Sequence, residues 1–132
     1  MAINLNAFNV TGTVFEFGLM PSATAPFTAN QDGAYFRVKD NKLYAVCGDG
    51  VGETEAELTA ITLTQDKYIH VRIELSATSA KFYVDDMVTQ EETITTNLPD
   101  NDLTIKVHAK SVANVDTILK TDGVSLTILR KR

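Results

Sequence analysis

Apolar and polar residues alternate along most of this chain, and the period is two. In Thr13–Leu19 the side chains of Phe15, Phe17 and Leu19 fall on one face. Ala34–Val38 sets Phe36 and Val38 against Tyr35 and Arg37, and Leu43–Cys47 returns after Asp40-Asn41. Both turn residues tolerate positive φ, so the pair predicts a hairpin with a two-residue turn. The clearest alternation is Tyr68–Leu75, with Ile69, Val71, Ile73 and Leu75 opposite His70, Arg72 and Glu74. Ala80–Val84 alternates as its partner, and Asp85-Asp86 turns the chain before Met87-Val88. Thr93–Thr96 and Leu103–Ala109 are further strands. Thr121-Asp122-Gly123 is expected to turn into a last strand, Val124–Leu129, after a loop or brief strand over 110–116. Residues 21–33 are a loop, because Pro21 and Pro26 deny it regular pairing.

The 53–59 stretch is ambiguous. Its Glu, Ala and Leu content suits a short helix, whereas the alternation of Glu53, Glu55 and Glu57 suits an exposed strand face. With eight to ten short strands and no long helix, the pattern predicts an all-β, antiparallel two-sheet β-sandwich. Its expected core is Phe15, Phe17, Phe36, Val38, Ile69, Val71, Ile73, Phe82, Val84, Leu103, Ile105, Val107, Leu126 and Ile128.

Composition sharpens this picture. Thr, Val and Ile occupy 37 of the 132 positions, an excess of β-branched residues that favours sheet. Apolar residues at 44% and charged ones at 22% suit a packed core, and the length suits one domain over 1–132, with 1–12 as an N-terminal arm or strand. The net charge of −5 argues against a broad basic surface for nucleic acid, since Arg130-Lys131-Arg132 is the only basic run. No stretch reaches the roughly 18 apolar residues of a membrane helix, and the N-terminus carries no secretory signal pattern. The single cysteine, Cys47, excludes an internal disulfide and a cysteine zinc cage, and its strand context predicts a buried, inert thiol.

The order of these pieces resembles a known family. Ala34-Tyr35-Phe36-Arg37-Val38, Leu43-Tyr44-Ala45-Val46, Tyr68-Ile69-His70-Val71-Arg72-Ile73-Glu74, Ala80-Lys81-Phe82-Tyr83-Val84-Asp85 and Thr95-Thr96-Asn97-Leu98-Pro99 resemble successive strands of the concanavalin A-like (laminin G-like) jelly roll. The likeness is to the version found in bacteriophage and prophage structural proteins, and it runs from about Val14 to Leu129. Asp86 stands where that pattern has a hairpin glycine. The family also carries more strands ahead of Val14, so the resemblance implies a sandwich reduced at its N-terminal side, with an edge that another strand must cover.

Candidate chemistry is sparse. Glu53-x-Glu55-x-Glu57 offers carboxylates at about 7 Å spacing along a strand, near what glycoside hydrolysis requires. The triplet lacks a central Asp, and the chain has no Trp to stack a sugar. A solvated acidic face accounts for it, so no catalytic residue is assigned and Glu→Gln changes there are expected to be silent. Asp49, Glu53 and Asp85-Asp86 suggest calcium, but there is no dense acidic run to supply six to eight oxygens. Turn chemistry explains the aspartates, and neither a metal site nor a cofactor is expected. His70 and His108 sit on the polar sides of strong strands, where adjacent strands would make them a metal pair or pH-sensitive patch. Tyr35, Tyr44 and Tyr83, with His70, form a candidate ligand surface; ordinary cross-strand packing is the competing explanation.

The expected function is a non-enzymatic virion protein, of capsid-decoration or head- or tail-accessory type, made in the host cytoplasm without a signal peptide. Its expected partners are further copies of itself or larger shell proteins, with neither nucleic acid nor membrane. The alternative is a glycan-binding module of a phage fibre or adhesin. Ile3, Leu5 and Phe8 are the large apolar residues of the N-terminal segment, which either pairs within its own subunit or lies across a neighbour. In the second case they form the assembly contact.

Overall fold

A computed structural model of the chain describes residues 1–5, 12–23, 25–65, 67–86, 88–110 and 119–122. The strands are β1 (Ala2–Leu5), β2 (Val14–Pro21), β3 (Gly33–Lys39), β4 (Lys42–Gly48), β5 (Glu53–Glu57), β6 (Tyr68–Leu75), β7 (Ala80–Val84), β8 (Gln90–Ile94), β9 (Leu103–Lys110) and β10 (Leu119–Asp122). There is no helix among the described residues. Pairing is antiparallel throughout and builds two five-stranded sheets, in the orders β10-β1-β6-β7-β8 and β5-β4-β3-β2-β9. The fold is a β-sandwich, as the alternating pattern predicts.

Local chemistry explains the hairpins. Asp40 and Asn41 both take positive φ, 50° and 64°, in the two-residue turn between β3 and β4. Asp85 takes φ 61° after β7, and Asp86 Oδ1 accepts from the backbone N–H groups of Val88 and Thr89, each at 2.8 Å. The ambiguous Glu53 stretch is the strand β5. Its alternation prevails over its helical composition because β4 offers it a full ladder of partners.

The two sheets meet through aromatic side chains. Phe17 stacks on Phe36 with ring centroids 5.6 Å apart, and Phe36 meets Phe82 of the opposite sheet edge-on at 5.3 Å. Phe15, Val38, Ile69, Val71 and Val84 are buried around them, as predicted.

Four expectations are corrected. Leu103, Ile105 and Val107 are only half-buried, because β9 is the outer strand of its sheet among the described residues. Ile73 is half-buried too, near the end of β6 where Glu74 and Leu75 reach solvent. The strand expected over Thr93–Thr96 instead runs over Gln90–Ile94, with a register shift between Phe82 and Tyr83 on β7. Thr121 and Asp122 belong to β10 rather than to a turn, since they complete its pairing with Ala2 and Ile3. The predicted strand Val124–Leu129, with Leu126 and Ile128, lies outside the described residues.

The N-terminal segment takes the first of its two expected placements. β1 lies between β6 and β10 with both edges paired, and Ile3 and Leu5 are buried in the core of their own chain. Their side chains are therefore taken up by their own core, which corrects the expectation that Ile3 and Leu5 form an assembly contact. The reason is geometric: with a neighbour on each side, β1 has no free edge and turns its apolar face inward. Phe8 lies outside the described residues.

Candidate functional site

The outer face of the β5-β4-β3-β2-β9 sheet carries what the sequence pattern assigns to solvent, and much of it is buried. Alternation places Glu16 on β2, Tyr35 and Arg37 on β3, Tyr44 on β4, the Glu53, Glu55 and Glu57 triplet on β5, and His108 on β9 all on this side. Register then lines up His108, Glu16, Arg37, Tyr44 and Glu57 across five strands. Glu16 is 1% exposed and Tyr35 fully buried.

Arg37 organises the face. Its Nε donates to Glu16 Oε1 at 2.9 Å. Its Nη1 reaches across β4 to Glu53 Oε1 at 2.6 Å and Glu55 Oε2 at 2.7 Å. Its Nη2 donates to Glu53 Oε2 and to the Tyr35 hydroxyl, both at 3.0 Å, while that hydroxyl donates to Glu53 Oε2 at 3.0 Å. Lys39 joins at Glu55 Oε1, 2.6 Å, and its ammonium lies 4.8 Å from the centroid of the Tyr44 ring. Lys42 pairs with Glu57 at 2.9 Å nearer the solvent. A planar guanidinium suits this role, because its fork can serve three carboxylates in one plane.

The electrostatics follow. Burial works against the charge on Arg37, but hydrogen bonds to Glu53 and Glu55 outweigh it and drive its pKa further up. Burial alone would raise the Glu53 pKa; the Arg37 hydrogen bonds and charge overcome it and hold the carboxyl below the usual range. The Tyr35 hydroxyl is pushed up, chiefly by burial. Glu53 and Glu55 thus belong to a half-buried, charge-paired network, which corrects their reading as a solvated face, while Glu57 at the end of β5 is exposed as expected.

A strap over residues 25–32 closes part of this face. Gln31, 2% exposed, donates from Nε2 to Glu16 Oε2 at 3.4 Å and to Met20 Sδ at 3.2 Å. Phe27, held at φ 59°, lays its ring 5.8 Å from that of His108. Asn30 donates to the Val51 carbonyl at 2.9 Å. Gly48 admits the strap, since a Cβ there would collide with the Gln31 carbonyl. Beside the strap tip is a shallow depression of about 200 Å³, lined by Val14, Glu16, Phe27, Arg37, Lys39 and Lys110. That is less than the roughly 300–1,000 Å³ of small-molecule sites.

The other candidates separate. Tyr35 and Tyr44 lie on this face, whereas His70 and Tyr83 lie on the outer face of the opposite sheet. Tyr83 is buried under Arg72, whose guanidinium sits 4.5 Å from the ring centroid, and its hydroxyl donates to Glu74 at 2.8 Å. His70 is exposed. The four residues therefore do not make one ligand surface, and His70 and His108 are not neighbours. Alternation placed each residue on a face correctly, but only sheet order decides which faces coincide.

Asp49 Oδ1 accepts from the backbone N–H groups of Val51 and Gly52 at 2.8 and 2.7 Å, which is the predicted turn chemistry. The Asp49 and Asp86 turns stand at opposite ends of the sandwich, so they do not share a cation. Among the described residues, no three His, Cys, Asp or Glu side chains converge on a metal-sized site. Cys47 is buried, and burial pushes its thiol up to about 12.

Sequence reasoning misses Glu16, Arg37 and Gln31 as members of one cluster. The outward positions of Glu16 and Arg37 are legible in the alternation; that a strap carrying Gln31 would cover Glu16 has no sequence signal. Comparison with family models and with curated proteins finds no match to this chain.

Proposed function

We propose that this chain is a non-enzymatic structural subunit of a virion, of capsid-decoration or head- or tail-accessory type, acting by protein–protein assembly. The observation that supports a non-enzymatic role is the state of Glu53. A glycosidase acid must keep its proton near neutral pH, so its surroundings have to raise its pKa. Glu53 is instead held ionised by Arg37 and Tyr35, and Glu55 shares the same guanidinium. A Glu53 carboxylate so engaged does not supply the proton that a general acid must give. The depression on this face is shallow and is lined by neither Glu53 nor Glu55, which favours the same reading.

The virion setting is supported by the order of the strand motifs, and it remains a likeness of pattern. Under this reading assembly uses what the fold leaves outside. Val51 and Val88, 85% and 79% exposed, are the most exposed large aliphatics among the described residues, and they stand on loops at opposite ends of the sandwich. Light scattering of the full chain, with co-sedimentation on particles of the phage or prophage whose genes flank its own, tests the reading. Self-association or particle binding is expected, weakened by Val51→Asp or Val88→Asp. A monodisperse monomer at high concentration that ignores those particles overturns it. Specific binding on a glycan array would replace it with a sugar-binding module.

A further inference from the structure

Glu16 Oε2 has two suitors. Gln31 of the strap holds it through Nε2 at 3.4 Å, and His108 Nδ1 of β9 stands 3.9 Å away. The first contact is long for a hydrogen bond and the second is not one. His108 Nδ1 and Gln31 Oε1 are both buried, without a hydrogen-bond partner among the described residues. Buried polar groups left unpaired are costly, so the His108 and Gln31 contacts with Glu16 are the weakly held part of this face. The strap also carries backbone strain, because Phe27 is a bulky residue at φ 59°.

Among the described residues the charged surroundings of His108 are few. Glu16 faces it from β2, with Arg37 of β3 behind on the carboxylate's other oxygen. Lys106 and Lys110 flank it on β9 itself, and the strap presents Phe27 and Gln31, which are uncharged.

We propose that the strap 25–32 is a pH-sensitive latch, with Glu16 as its catch and Gln31 and His108 as competing ligands of that catch. With His108 neutral, Gln31 keeps Glu16 Oε2 and the strap lies closed. A protonated His108 has N–H groups on both ring nitrogens and a full charge opposite a buried carboxylate. Closing the remaining distance to Oε2 gives it a charge-assisted hydrogen bond and displaces the Gln31 amide. Gln31 then has no partner for either end of its amide beyond the Met20 sulfur, and the strained Phe27 turn loses its neighbouring anchor.

The direction agrees with linkage. Burial, only partly offset by Glu16, holds the His108 pKa below the ordinary histidine value in the closed form. A proton therefore binds the loosened form more tightly, and acid shifts the population towards it. Loosening uncovers the outer face of β2 and β9 around Glu16 and Met20, next to the existing depression.

Amide hydrogen exchange of the full chain tests this, with each rate compared with the intrinsic rate at the same pH. Between about pH 7.5 and about pH 5, where a histidine changes charge, peptides spanning 25–32 should lose protection several-fold while β3 and β4 keep theirs. His108→Gln should abolish the difference, and His70→Gln should retain it. In the unmodified protein, the Phe27 ring resonances should shift with the same midpoint as the His108 imidazole. Equal strap protection at both pH values overturns the latch, and so does a difference that survives His108→Gln. Loss of protection by strap and sheet together, or a Phe27 midpoint distinct from that of His108, also overturns it.

Discussion

Arg37 ties three carboxylates together, those of Glu16, Glu53 and Glu55. Glu16 is 1% exposed at its side chain and Arg37 13%, so removing the guanidinium strands a buried carboxylate. Arg37→Met should cost about 3–5 kcal/mol in a urea titration. Lys42→Ala, which breaks the solvent-facing pair with Glu57, should leave the midpoint nearly unchanged. Glu53→Gln is not silent; losing charge-assisted bonds to Arg37 should cost about 1.5–3 kcal/mol. The sign of the accompanying pH effect follows from its lowered pKa. The unfolded chain binds a proton more readily there, so the stability Glu53 contributes is present above the ordinary value of 4.5 and lost as pH falls below it. Stability measured from about pH 6 to about pH 3 should fall less steeply in the Gln variant. Cys47, at about 12, should react with a thiol reagent only after unfolding.

Among the elements, β1 is the most instructive. It is four residues long, yet it joins β6 to β10 and buries Ile3 and Leu5. Ile3→Ala should cost about 2–5 kcal/mol. Deleting residues 2–5 should unfold the chain, detected as lost sheet signal in circular dichroism, rather than weaken an association between folded subunits. The alternation of Ile3 and Leu5 was legible in the sequence. Which partner it served was not, because an alternating segment fits any exposed edge equally well. β5 makes the same point in reverse: the Glu triplet reads as a face, and Arg37, sixteen and eighteen positions earlier in the chain, determines that the face is not free.

For the molecule as a whole, Phe36 ties the two sheets together through Phe17 on its own sheet and Phe82 on the other. Phe36→Ala should cost about 3–5 kcal/mol, and fluorescence and circular dichroism should report one shared transition in denaturant. A transition in which one sheet melts first would show that the sheets are joined mainly by something other than this aromatic contact.

Period-two alternation, turn residues and β-branched content determined the all-β class, most strand positions and the inward face of each strand, because these depend on neighbours within a few residues. The Asp40-Asn41 hairpin and the Phe15-Phe17 face are of that kind. What only the tertiary structure decided is how outward faces are used. The burial of Glu16, the reach of Arg37 to Glu53 and Glu55, the separation of His70 from His108, and the Gln31 contact with Glu16 all depend on sheet order and on one strap crossing a face. Those juxtapositions join residues far apart in the chain, and a polar side chain reads the same in sequence whether water or a guanidinium will face it.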